Sequence, residues 1–173
     1  IVGTQNFFLM TADEPDLIDG VLDGLTEYYT QLGLHAIREG ADMIRMGDDV
    51  GAQQSMMLSP KMWRKLAKPR LKHMFDSFRK ENPEIFIKFH SCGDYSPILA
   101  DIVELGLPLV APGGVLVAWK RFPLDEELDA AAGALAALRA GPVRVVPTGL
   151  PGLEDHRLVI VERGGRIDAG GQS

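Results

Sequence analysis

His90 and Cys92 stand two positions apart at the end of an apolar run, IFIKFHSCGD, residues 85–94. In an extended strand such residues point to the same side, so an imidazole and a thiolate can share one ion. Zinc suits a nitrogen and sulfur pair, and a catalytic zinc keeps one coordination position open. A buried cysteine beside a hydrogen-bonded histidine is the structural alternative for the same pattern. Gly93 lets the chain turn at once, and Asp94 is placed to orient His90 once the turn brings it back. A second apolar stretch, ADMIRMGDDVG, ends in Asp48 and Asp49. These carboxylates are the candidate catalytic residues, with loop capping as their structural alternative. Arg45, inserted in that stretch, and Gln53, in the glycine-opened loop beyond it, are candidate substrate contacts.

The elements that must position these groups read as an alternation. Residues 1–10 are apolar with a turn-like Gly3 and fit either strand or loop. Thr11–Glu14 has the form of a capping box, and Pro15 suits a first helical turn. Leu17, Ile18, Val21, Leu22, Leu25, Tyr28, Leu32 and Ile37 then recur at helical spacing, weakened by Gly20, Gly24 and Gly33. Residues 41–46 read as a strand. Ser59-Pro60 opens a helix that Pro69 breaks, and Leu71, Met74, Phe75 and Phe78 form the stripe of a second piece. The run at 85–90 reads as a buried strand. Ser96-Pro97 starts another helix, and residues 107–111 read as a further strand. Two strands ending in chemistry, each preceded by helix, predict part of a parallel α/β barrel. After Pro112-Gly113-Gly114 come a strand at 115–118, an alanine-rich helix at 125–140 and a strand pair at 143–146 and 158–161. That pair fits a hairpin. Residues 163–173 read as a frayed tail.

Composition narrows the function. The 173 residues carry a net charge of −6, which argues against nucleic acid, since phosphate contacts need clustered Lys and Arg. A single cysteine excludes an intrachain disulfide, and a reducing, cytoplasmic setting is the expectation. No stretch reaches the ~18 apolar residues of a membrane span. Ile1, rather than Met, suggests a fragment.

The blocks GDDVGAQQSMMLSPKMWRKLAKPRLKHMFDSFRK and IKFHSCGDYSPILADIVELG together resemble the uroporphyrinogen decarboxylase family. They are most similar to its branch of cobalamin-dependent methyltransferases, over residues 7–110. The resemblance implies a TIM barrel with its site at the carboxyl ends of the strands, of which this chain would hold an internal piece. It implies that His90 and Cys92 are two zinc ligands, with the ion activating a thiol for methyl transfer from or to a corrinoid. The branch uses a third, distant cysteine, which this chain lacks, so Asp94, Asp48 or another chain would have to help. The decarboxylase branch needs no metal and acts on the acetate groups of a tetrapyrrole. A tetrapyrrole or a methyl-corrinoid protein is therefore the expected partner.

From residue 105 to 165 the text LPLVAPGGVLVAWKR and VRVVPTGLPGLEDHRLVIVER resembles instead the carboxyl-terminal part of a class I S-adenosylmethionine-dependent ribosomal RNA guanine methyltransferase. The likeness places Lys120 and the turn at Asp155, His156 and Arg157 near the substrate face. Because the cofactor's glycine-rich loop lies upstream in such enzymes, these read here as surface residues. The expected organisation is an α/β mosaic. Residues 1–110 form a partial barrel segment and residues 111–173 a strand-helix-hairpin segment. This length cannot close eight strands; a parallel sheet of four or five with covering helices is the alternative. Exposed sheet edges predict self-association. A non-catalytic α/β module is the remaining functional alternative.

Overall fold

The computed structural model describes residues 3–121 and 123–164. The chain divides into two compact units, Ile1–Asp94 and Tyr95–Ser173. The architecture is mixed α/β, with a two-stranded parallel sheet and a three-stranded antiparallel one, and no closed barrel among the described residues.

The first unit runs α1 (Thr4–Asp13), α2 (Pro15–Arg38), β1 (Met43–Gly47), α3 (Pro60–Leu66), α4 (Lys68–Glu81) and β2 (Phe86–His90). The opening segment, undecided between strand and loop, is helix. Because α1 continues to Asp13, Thr11 lies inside it and its hydroxyl donates to the Phe8 carbonyl. The expected capping box is therefore absent; Glu14 precedes α2 without a side-chain cap, and Pro15 supplies the first turn. The α2 stripe is also narrower than its spacing suggested. Ile18, Thr30, Gly33 and Ile37 are buried, whereas Tyr28 and Leu32 are more than half exposed. Gly33 has a packing role: a Cβ there would lie 2.4 Å from the Phe78 ring. Its missing side chain lets α2 approach α4. The Ser59 hydroxyl accepts from the Met62 amide at 3.2 Å and caps α3. Trp63, Leu66, Leu71, Met74, Phe75 and Phe78 are buried in the core, the last four as their spacing predicts. Burying each such side chain stabilises by ~1.5–3 kcal/mol before entropy.

β1 and β2 pair in parallel from Met43↔Phe86 to Gly47↔His90. Alternation sends Ile44, Met46, Ile87 and Phe89 to one face. There Ile44 is buried, and Phe89 meets Phe75 edge-on at 6.2 Å. The other face carries Met43, Arg45, Phe86, Lys88 and His90, all exposed. The expectation of a buried β2 is thus corrected: only one side is covered, and Phe86 is 69% exposed. A strand with one neighbour and helices on one face has nothing to cover the second.

The second unit holds α5 (Leu99–Gly106), β3 (Val115–Arg121), α6 (Asp125–Ala137), β4 (Val143–Pro147) and β5 (His156–Glu162). Residues 107–109 form a 3₁₀ turn rather than the expected strand, since Pro108 has no amide to give a ladder. β5 is central, antiparallel to both β3 and β4, and β4–β5 is the expected hairpin. The expectation of four or five parallel strands gives way to these two separate sheets. Leu99, Val103, Leu107, Leu124, Ala131, Ala134, Val159 and Val161 make the core. Lys120 is not the surface residue its sequence suggested. It is buried, 2.5 Å from Glu127, and lies 4.0 Å over the Tyr95 ring. Arg163, assigned to a frayed tail, is held: its amide donates to the Gly114 carbonyl and its guanidinium to that of Val110. The rest of the tail, residues 165–173, lies outside the described residues.

Candidate metal centre

The site is built where the parallel pair ends. The Asp48 amide donates to the His90 carbonyl, the last rung of the ladder, and both strands then turn. Beyond it the two loops touch backbone to backbone. A Cβ on Gly51 would lie 2.5 Å from the Asp94 carbonyl oxygen, and one on Gly93 2.3 Å from Gly51. Gly93 also has φ +77°, which disfavours any other residue. Three hydrogen bonds tie the loops. The Asp94 amide donates to the Ala52 carbonyl (2.8 Å), the Val50 amide to the Ser91 hydroxyl (3.2 Å) and the Cys92 amide to Asp49 Oδ1 (2.8 Å).

This clasp brings Asp49, His90 and Cys92 together. His90 Nε2 lies 3.1 Å from Cys92 Sγ, and one donor atom from each of the three residues falls within 4.8 Å of the others. Zinc bonds of 2.0–2.3 Å in a tetrahedron space neighbouring donors by roughly 3.3–3.8 Å. The group fits such an ion with small side-chain rotations, and its carboxylate, imidazole and thiol set is one that zinc accepts. All three residues are exposed, which leaves room for a fourth ligand. Without an ion, the hydrogen bond to Asp49 and then its negative charge hold the Cys92 thiol above the usual cysteine range.

The other expected site residues are spread around this point. Asp48 keeps solvent contact, yet surrounding protein desolvates its carboxyl; burial first, then the Asp49 charge, raises its pKa. It stands outside the three-donor group. Asp94 anchors the loop through its amide. Gln53 is exposed at the tip of the loop closed by the Gly51–Met56 bridge. Arg45 lies back along β1 in the wall of a cavity of about 920 Å³. Phe7, Leu22, Leu25 and Tyr29 contribute apolar walls to that cavity, and Asp48 and Asp49 polar ones. The third donor, Asp49, carried no metal expectation in the sequence. The signal was its strand-end position, shared with His90, but only the parallel register shows that the two ends meet.

No helix among the described residues is long and apolar enough to cross a membrane. Comparison with known proteins finds relatives of two kinds. Ribosomal RNA small subunit methyltransferase G of Dehalococcoides mccartyi strain CBDB1 is 41% identical over 66 residues, 38% of this chain and 28% of that protein. The same enzyme of Roseiflexus castenholzii is 40% identical over 63 residues, 36% of this chain and 27% of that protein. The chain thus spans little more than a quarter of the length of these relatives. The family model for uroporphyrinogen decarboxylase (URO-D) matches residues 1–114, more than half of the chain and all of the loops that form the three-donor group. The chain belongs to the uroporphyrinogen decarboxylase family.

Proposed function

We propose that the first unit carries a zinc site of the methyl-transfer type. The observation that supports this reading is the meeting of one carboxylate, one imidazole and one thiol within 4.8 Å. His90 and Cys92 bind the ion, and Asp49 takes the place of the third cysteine that the methyltransferase branch uses. When bound, zinc lowers the pKa of a coordinated thiol and makes it a nucleophile at neutral pH. Asp49 also fixes the loop, since its Oδ1 accepts from the Cys92 amide. Gly51 and Gly93 keep the two loops close enough for all three donors. Arg45 and Gln53 contact the substrate, and Asp94 positions the β2 loop. The partner is a methyl-corrinoid protein. The exposed Cys92 thiol suits a reducing compartment such as the cytoplasm.

Decarboxylation of a tetrapyrrole is the second reading. It needs no metal and assigns proton handling to Asp48, whose carboxyl binds a proton more readily than usual. Metal analysis separates the two. Purified protein is expected to hold zinc less tightly than a four-cysteine structural site, with Cys92→Ala and Asp49→Asn each retaining less. Equal zinc in wild type and Cys92→Ala would end the first reading.

A further inference from the structure

The two loops of the site hold each other by a reciprocal pair of hydrogen bonds. The Asp49 carboxylate accepts from the amide of Cys92, the residue after Ser91, at 2.8 Å. The Ser91 hydroxyl accepts from the amide of Val50, the residue after Asp49, at 3.2 Å. Each loop thus gives one side-chain oxygen and receives one, across 43 and 41 positions of sequence. The Ser91 hydroxyl donates its own proton to the Cys92 carbonyl at 3.1 Å, so its lone pairs are left for Val50. Val50 is only 7% exposed, and an amide left unpaired in such a place is costly. The two halves differ in one respect. Asp49 is one of the three donors, whereas Ser91 is not. Ser91 stands between the other two, His90 and Cys92, and bonds only to backbone.

We infer that Ser91 is a positioning residue: by pinning Val50 it holds Asp49 beside His90 and Cys92. His90 and Cys92 are near one another through their own spacing in sequence. What Ser91 controls is the third donor, which comes from the other strand. Because it binds no ion itself, its half of the clasp is the same with or without one. The metal side of this inference rests on the zinc reading, but the loop side stands without it. Partners that orient a ligand without touching the ion typically change metal affinity by about tenfold to a hundredfold.

The test compares the full wild-type chain with Ser91→Ala and Ser91→Thr. Zinc affinity is read by competition with a chromophoric chelator, and cobalt(II) absorption reports the thiolate and the geometry around the ion. Ser91→Ala is expected to bind zinc about tenfold more weakly, with an altered cobalt spectrum. Ser91→Thr keeps the hydroxyl and should restore both. Unchanged zinc affinity in Ser91→Ala would overturn the inference. So would a zinc loss as large in Ser91→Thr, with the Val50 amide still protected there. Hydrogen exchange of the metal-free chain is the separating arm. In Ser91→Ala the amides of Val50 and Cys92 should both exchange about tenfold faster, as one lost hydrogen bond of ordinary strength allows, while those of α4 keep their rates. Faster exchange at Val50 with Cys92 unmoved would mean two independent bonds and no clasp. If wild type itself binds no zinc, the zinc reading falls, and linked loss of protection at Val50 and Cys92 still upholds Ser91 as the residue that holds the loops.

Discussion

The two sheets of this chain each leave one face uncovered, and they spend that face differently. On the β1–β2 pair the open side carries Arg45, Lys88 and His90 in successive rungs, with no ion pair for either cation among the described residues. On the β3–β5–β4 sheet the open side carries Val115, Val117 and Trp119, each about half exposed. The charges at its borders are matched: Arg121 with Asp155, and Arg144 with Glu162. The second unit hides its polar cluster instead. Lys120, Glu127, Tyr95 and Ser96 interact inside it, where the Ser96 hydroxyl donates to Glu127. Uncompensated charge on an open surface can be neutralised by a ligand, whereas compensated charge in a core only holds elements in register. The contrast is between charge left on an open face in the first unit and charge paired inside the core of the second.

Each unit also has its own tryptophan, Trp63 in the first and Trp119 in the second. Their fluorescence allows the comparison to be tested unit by unit. The largest effect is expected from Phe78→Ala, since Phe78 is 1% exposed. It should destabilise the first unit by about 3–5 kcal/mol. The loss should appear in urea unfolding of the Trp119→Phe background and leave the Trp119 signal of Trp63→Phe in place. Equal shifts in both signals would show that the units unfold as one. Lys120→Met comes next. It strands Glu127 in the core and should cost the second unit about 3 kcal/mol, most of it recovered on adding Glu127→Leu. Lys88→Met on the open face of the first unit should stay within about 0.5 kcal/mol. If these two lysines cost the same, the distinction between the units fails. Gly33→Ala should destabilise by about 1–3 kcal/mol despite the better helix propensity of alanine, because its Cβ meets the Phe78 ring. A neutral result would mean that α4 can move away.

The smallest effect is acid titration. Arg38 donates to Glu81 and holds its pKa below the ordinary glutamate value; Arg121 does the same for Asp155 in the second unit. A depressed carboxyl contributes stability that is fully present above its unfolded-state pKa. That contribution is lost as the pH falls through the folded-state value. Both pairs lie on the surface, so the loss should be slight and should shrink further in high salt. Glu81→Gln should flatten the acid limb only in the Trp63 signal.

Much of the first unit was legible in its sequence because strong local signals agreed with the packing. Ser59-Pro60 caps α3, Pro69 divides α3 from α4, and the stripe from Leu71 to Phe78 is the buried face. The errors have one physical origin. Spacing reports which side of an element is apolar, not whether anything lies against it. Leu17, Leu32 and Phe86 are apolar at core-like positions, yet they remain substantially exposed because none of the described residues covers them. Gly33 read as a helix defect because the Phe78 ring it receives is 45 residues away. At the site, the proximity of His90 and Cys92 follows from local spacing alone. Asp49 became visible only through a register between strands that are distant in sequence. Lys120 was misjudged because a lysine in a strand gives no sign of the glutamate in the first turn of α6.

The family match ends at residue 114, but the first compact unit ends at Asp94. The twenty residues in between include Leu99, Val103 and Leu107, which are core of the second unit. A protein engineer who separated the chain at the family boundary would therefore carry away part of the other half's interior. The shorter product would be left with β3, β4, β5 and α6 around a gap, while a cut after Asp94 keeps each interior whole.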